Sequence, residues 1–326
     1  MAVRPLATFW MLFSQLCKTL CFASARTVFI LLQNLWWRYT GVHQQIQRYR
    51  DPRCEDRRVQ VLKIATWHKF CLFPKHELSE FILTHESFVR PEYVIENDDV
   101  MILHVDTKSN DVLFCEGPPG KNLWKASETT PFLHLTALMY GQKLIRVPMD
   151  IYRDLCKKLP EPNKRIICIG NTARCGSTLL CQMFEDTGKV ATYSEPIILN
   201  DAMVLHRNEG MTEEVLSFTR DAVKMICKPL KRFPDPIAYV IKVQAPATDC
   251  VTVFKHLFPE VTSFYLYRDM SKVSMSLYRF SWVIPSIRIL YIMCRLSPKL
   301  VKKTYEGIGI AVPEYLTTFK DDFTTG

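Results

Sequence analysis

From about residue 150 onward, short apolar runs that favour strand alternate with longer helix-like stretches, and this alternation constrains the fold more than any other feature of the chain. The strand-like runs are residues 166–169, 190–193, 238–241 and 263–267; the helix-like stretches are residues 178–186, 212–228, 248–258 and 271–280. Units of this kind bury their apolar faces as a parallel sheet with helices on both sides. The expected fold class is therefore α/β, a parallel sheet flanked by helices. In such sheets a ligand lies beyond the carboxyl ends of the strands, so the loops after residues 169, 241 and 267 are expected to converge on one site.

The first of these loops, GNTARCGST (residues 170–178), runs directly into the amphipathic stretch STLLCQMFE. A glycine turn feeding a helix start presents backbone N–H groups and the positive end of the helix dipole, which suits a phosphate. It is not a Walker A loop: five residues separate Gly170 from Gly176 where that pattern has four, and Ser177 stands where it has Lys. The basic side chain is instead Arg174. The second loop offers Lys242, at the end of AYVIK. The third follows SFYLY, and its Arg268 and Ser276, eight positions apart, can grip one phosphate from a strand end and from two turns into the next helix. A carboxylate, Glu195, follows the run 190–193 in Ser194-Glu195-Pro196. Each residue also has a plain structural reading. Lys242 could be a solvated strand-end charge, Arg268 a partner of Asp269, and Ser194 a helix cap with Glu195 complementing the dipole.

Together these motifs resemble the sulfotransferase superfamily over roughly residues 165–280, and the whole layout is similar to sulfotransferase-like proteins of animals. The resemblance implies a P-loop-like fold and the transfer of a sulfuryl group from 3′-phosphoadenosine 5′-phosphosulfate to the hydroxyl of a glycan, lipid, peptide tyrosine or small alcohol. It implies that Arg174, Cys175, Gly176, Ser177 and Thr178 hold the 5′-phosphosulfate, with Lys242 assisting, and that Arg268 and Ser276 hold the 3′-phosphate. Glu195 matches the offset at which the tyrosylprotein branch carries its general base, whereas His206, by analogy with cytosolic members that use His, lacks the matching spacing. Cys175 departs from the Ser or Gly of many members, and a helix start beside Arg174 favours a thiolate there. No metal is expected, because Arg and Lys neutralise the leaving phosphate. Fifty residues follow Ser276, fewer than members usually carry, so the segments that cover the adenine are expected to be curtailed. The competing readings are a catalytically silent nucleotide-binding or interaction protein, and a P-loop small-molecule kinase. The kinase would need a loop Lys and a strand-end Asp; neither Asp201 nor Asp249 stands at a strand end.

Residues 51–150 read as a small mixed α/β or β-rich region, opened by a charged linker at 51–60. Within it, residues 100–105 and 112–115 flank the turn TKSND as a hairpin, and 143–147 reads as a further strand. His104 and His134 are expected to sit satisfied in the core. The remaining unit, residues 151–326, carries the nucleotide motifs, and its apolar stretch 282–296 reads as core or as part of an acceptor wall.

Residues 1–50 form an apolar, basic helical segment. Thirteen of the 18 residues from 20 to 37 are apolar, close to a membrane span in length. Arg26 inside the run would cost roughly 2.5 kcal/mol near a bilayer centre. The segment is therefore either a membrane anchor or interfacial helix, or a helix buried against the protein. With it the location is membrane-associated, the Golgi included, or cytoplasmic. No signal-peptide cleavage pattern follows it. Nine Lys or Arg against three Asp or Glu in residues 1–60 account for +6 of the net +9, so the folded part lacks the basic face that nucleic-acid binding requires. The twelve cysteines contain no CxxC pair and the histidines no HExxH, which argues against structural zinc and zinc-protease chemistry. Cys17, Cys21, Cys168, Cys181, Cys227 and Cys250 read as buried core thiols.

Overall fold

A computed structural model of the chain describes residues 5–69, 76–125, 130–231 and 233–283. It begins with a 35-residue helix, α1 (Pro5–Tyr39), and a short helix, α2 (Val42–Arg50). There follow β1 (Val59–Trp67), β2 (Phe81–Val89), α3 (Tyr93–Glu96), β3 (Val100–Asp106), β4 (Asp111–Glu116), α4 (Leu133–Tyr140), β5 (Lys143–Pro148) and α5 (Met149–Lys158). The five strands form an antiparallel sheet in the order β2-β1-β5-β4-β3. The expected hairpin is β3 and β4, closed by a turn in which Asn110 takes the left-handed φ of 53° that asparagine tolerates. Strand β1 starts at Val59, so the last two residues of the expected linker are buried strand.

The second half alternates β6 (Arg165–Asn171), α6 (Ser177–Asp186), β7 (Val190–Ser194), α7 (Ile198–Glu209), α8 (Glu213–Ile226), β8 (Ala238–Lys242), α9 (Cys250–Leu257), β9 (Thr262–Leu266) and α10 (Met270–Val283). The four strands are parallel, in the order β7-β8-β6-β9. Side chains alternate along β6 as the pleat requires. Ile167 and Ile169 join Cys181 and Phe184 of α6 on one face, while Ile166 and Cys168 join the larger core on the other, where α8 and α9 lie. Helix α8 forms here because Val215, Phe218, Ala222, Val223 and Ile226 fall on one stripe, all buried. The Thr212 hydroxyl caps it by accepting from the Val215 N–H at 3.3 Å, a contact that stabilises by about 1 kcal/mol. The edge strand β9 departs from expectation, since Phe264 and Tyr265 are 46% and 55% exposed.

The larger core is continuous from the antiparallel sheet through α5, α7 and α8 to β7 and β8. Lys228 crosses it. Its ammonium is buried, donating to the carbonyls of Val94, Asn97 and Val100 at 2.7, 2.9 and 3.0 Å. Asp111, fully buried, is held by Arg50 of α2 and Arg146 of β5, which ties the N-terminal helices to the sheet.

Two sequence expectations are corrected. Cys168, Cys181, Cys227 and Cys250 are buried, but Cys17 is half-buried and Cys21 exposed, because α1 buries none of its described side chains. Nor is that helix buried against the protein. Within Phe13–Tyr39 an 18-residue window reaches a mean hydropathy of 1.3, and none of its residues is fully buried, although one side of the helix is half-buried. The apolar run 282–296 lies outside the described residues beyond position 283.

Candidate functional site

The loop between β6 and α6 is built from unusual backbone. Ala173 and Arg174 take φ of 60° and 50°, and Gly176 takes 93°. A Cβ at Gly176 would meet nothing within 4 Å, so that side of the turn is open. Asn171 at the end of β6 holds the bend: its amide donates to the Val243 carbonyl at 2.7 Å and its oxygen accepts the Ala173 N–H at 2.9 Å. Strained φ at a non-glycine residue persists only where the surroundings enforce it. The first intrahelical bond of α6 runs from the Leu180 N–H to the Gly176 carbonyl, which leaves the N–H groups of Ser177, Thr178 and Leu179 for an outside acceptor.

Around this loop the structure brings the expected residues into two linked clusters. In the first, Lys242 at the end of β8 is 1% exposed, and its ammonium pairs with Glu195 and reaches the Thr178 hydroxyl at 3.5 Å. Glu195 also takes a left-handed φ, 58°, and its N–H donates to the Lys242 carbonyl at 2.7 Å. The two residues are thus joined through backbone and side chain. In the second cluster, the Arg174 guanidinium donates to the Ser276 hydroxyl of α10 at 2.9 Å, while Arg268 donates to the Arg174 carbonyl at 3.3 Å. Cys175 is half-buried on the same turn, and Ser177 is buried in the first turn of α6.

The plain structural readings fare differently. Ser194 closes β7 and α7 starts only at Ile198, so Ser194 caps no helix and Glu195 is spent on Lys242. Asp269 accepts from Ser271 and Lys272, and Arg268 turns to the Arg174 carbonyl instead. Lys242 is buried and paired, the opposite of a solvated charge. His206 sits eight residues into α7, about 12 Å along the axis from its start. His134 corrects the expectation of a satisfied core histidine. Its Nδ1 is buried with no partner, whereas both ring nitrogens of His104 face carbonyls, those of Val105 and His76.

Three contributors had no local sequence signal. Phe132, from the antiparallel half, places its ring 4.7 Å from the Lys242 ammonium, a contact made only by tertiary packing. The hydroxyls of Thr172 and Ser194, at the ends of β6 and β7, are buried without a hydrogen-bond partner. Native proteins rarely leave such groups unmatched, and they fit an oxyanion ligand. A cavity of about 450 Å³ near Arg48, Asp51 and Arg53 shares none of these residues. Among the described residues no cluster of His, Cys, Asp and Glu is placed to hold a metal ion. No family model, curated protein or solved structure matches the chain.

Proposed function

We propose that the chain is a sulfotransferase of P-loop-like fold that moves a sulfuryl group from 3′-phosphoadenosine 5′-phosphosulfate to an acceptor hydroxyl of a glycan, lipid, peptide tyrosine or small alcohol. One observation carries the reading: at the carboxyl ends of the four parallel strands Lys242 is paired with Glu195, and Arg174 is linked to both Ser276 and Arg268. Open backbone N–H groups and two orphaned hydroxyls around them suit the oxygens of a phosphosulfate.

In this reading the Glu195 carboxylate takes the acceptor proton as the acceptor oxygen bonds to sulfur. The bridging S–O bond breaks, and its electron pair stays on the 5′-phosphate, where Arg174, Lys242 and the loop amides meet the growing charge. Cys175, Gly176, Ser177 and Thr178 shape the turn that carries those amides. Arg268 and Ser276 hold the 3′-phosphate. The kinase reading loses support because its candidate carboxylates are engaged: Asp249 with Arg207 at 2.9 Å and Asp201 with the Val105 N–H at 2.7 Å.

The test combines ligand choice with Glu195→Gln. The wild-type protein is expected to be stabilised against heat by 3′-phosphoadenosine 5′-phosphate and not by ATP with magnesium. Glu195→Gln should lower turnover roughly 10²- to 10⁴-fold. Its nucleotide affinity should hold or rise, because Lys242 is released from its carboxylate. A stabilised protein with no turnover on any acceptor hydroxyl would favour the silent binder, and stabilisation by ATP alone would remove the sulfotransferase reading.

A further inference from the structure

Helix α1 turns a row of polar side chains toward the protein. Thr19, Arg26 and Gln33, seven residues apart and so on one stripe, face the antiparallel sheet. Thr19 Oγ1 lies 2.9 Å from His68 Nε2, Arg26 donates to the carbonyls of Phe81 and Leu78 at 2.9 and 3.1 Å, and Gln33 donates to Leu83 O at 2.6 Å. Phe22 and Trp37, on the same side, meet the rings of His68 and His85. The exposed side is largely apolar, broken by Ser24, Thr27 and Arg38: Phe13, Leu16, Leu20, Leu31, Leu35 and Tyr39 are 49% to 84% exposed.

We propose that this face binds a lipid bilayer with anionic headgroups, and that α1 lies in the plane of the membrane instead of crossing it. The contacts with the sheet run from Thr19 to Trp37, about 27 Å of helix and nearly the full thickness of a hydrocarbon core. A crossing helix would carry β2 with it, including Glu86, paired at 2.9 Å with Lys143 of β5, and water-free hydrocarbon does not tolerate such a strand. Lying flat, the helix buries its apolar face while Arg26 and Gln33 stay on protein carbonyls, which removes the cost that Arg26 presents to a spanning segment. Trp10 and Trp36, near the two ends, are 60% and 61% exposed, as suits the headgroup boundary. Lys18 and Arg38 of α1 are exposed with no carboxylate partner among the described residues, and they match an anionic surface. A two-fold pairing of copies through the same face would instead bring like cations together. The proposal is independent of the sulfuryl-transfer reading.

The full chain, floated with vesicles of phosphatidylcholine containing a fifth phosphatidylserine, is expected to rise with the lipid, and less so with phosphatidylcholine alone. Leu31→Glu with Leu35→Glu should lower the partition at least tenfold while leaving the melting temperature unchanged, since neither side chain is buried. Epitope tags at the two chain ends, expressed with sealed microsomes, should both be digested by added protease without detergent. A monodisperse chain that never floats would overturn the proposal, as would protection of one tag only, which marks a crossing helix. So would a stable dimer that the double variant dissolves and that does not float.

Discussion

Glu195 and Lys242 show how one residue pair carries both fold and site. The pair is nearly out of water, so its members cannot be removed singly without exposing the other charge to a poor solvent, a loss typically worth 3 to 5 kcal/mol. Lys242→Met is therefore expected to lower stability as well as nucleotide affinity, whereas Glu195→Gln keeps a hydrogen-bonding partner for the ammonium. At the second cluster, Arg268→Ala should weaken binding of 3′-phosphoadenosine 5′-phosphate roughly 30- to 1000-fold, through loss of a charge-assisted contact. Ser276→Ala should cost only about fivefold, as one neutral donor disappears. Calorimetric titration with adenosine 5′-phosphosulfate, which lacks the 3′-phosphate, should erase the Arg268 effect; an undiminished effect means that Arg268 does not hold that group. Cys175 offers an independent probe. Alkylation of its thiol should be slowed by saturating nucleotide, and peptide mapping of the labelled protein reads the difference directly.

Secondary-structure elements meet through histidines whose burial makes the assembly pH-sensitive. His76 donates its Nε2–H to the carbonyl of His134 in α4 at 2.9 Å, and its own carbonyl faces His104 in β3. Burial, helped by the nearby charge of Lys69, pushes the His76 imidazole down to about 3; burial with Lys69 and Lys242 does the same to His134. Both stay neutral in the folded chain while the unfolded chain protonates near 6.5. As the pH falls from about 6.5 towards 3, the unfolded state alone takes up these protons, so stability is lost across that window, by at most about 1.4 kcal/mol per pH unit for each histidine. Urea midpoints measured between pH 7 and pH 4 should fall steeply, and His134→Gln should flatten the slope. An unchanged slope in that variant would assign the acid sensitivity to other groups, such as the Glu92 carboxylate, which its hydrogen bond with Lys158 holds below the usual carboxylate range.

Across the whole molecule, Lys228 joins the two sheets at a distance no local pattern announces. It follows α8 in the parallel half, yet its three acceptors belong to the segment from Val94 to Val100 in the antiparallel half. Lys228→Met removes the donor and strands three carbonyls in the core, an expected loss on the order of 3 kcal/mol. The urea midpoint should drop while the slope of the transition is retained, provided that the two sheets unfold together. Separate transitions for the two halves in this variant would show that Lys228 is what makes them one cooperative unit.

Much of the parallel half was legible in the chain itself. Apolar runs of four to five residues separated by amphipathic stretches can satisfy their backbone and bury their side chains in few other ways, and β6, β8 and β9 with α6, α8, α9 and α10 fall where the pattern puts them. The loop around Arg174 and Gly176 was legible because its residue types are local signals of a turn into a helix. What remained hidden depends on contacts between distant segments. Whether Lys242 faces water or Glu195, whether Ser194 caps a helix or ends a strand, and whether Phe132 reaches the site are decided by sheet order, which no short window contains. The same holds for α1. Its sequence presents Arg26 and Gln33 as flaws in an apolar helix. Only the neighbouring edge of β2 and the turn that leads into it, with carbonyls 2.6 to 3.1 Å from those side chains, make them its docking face and turn the apolar side outward.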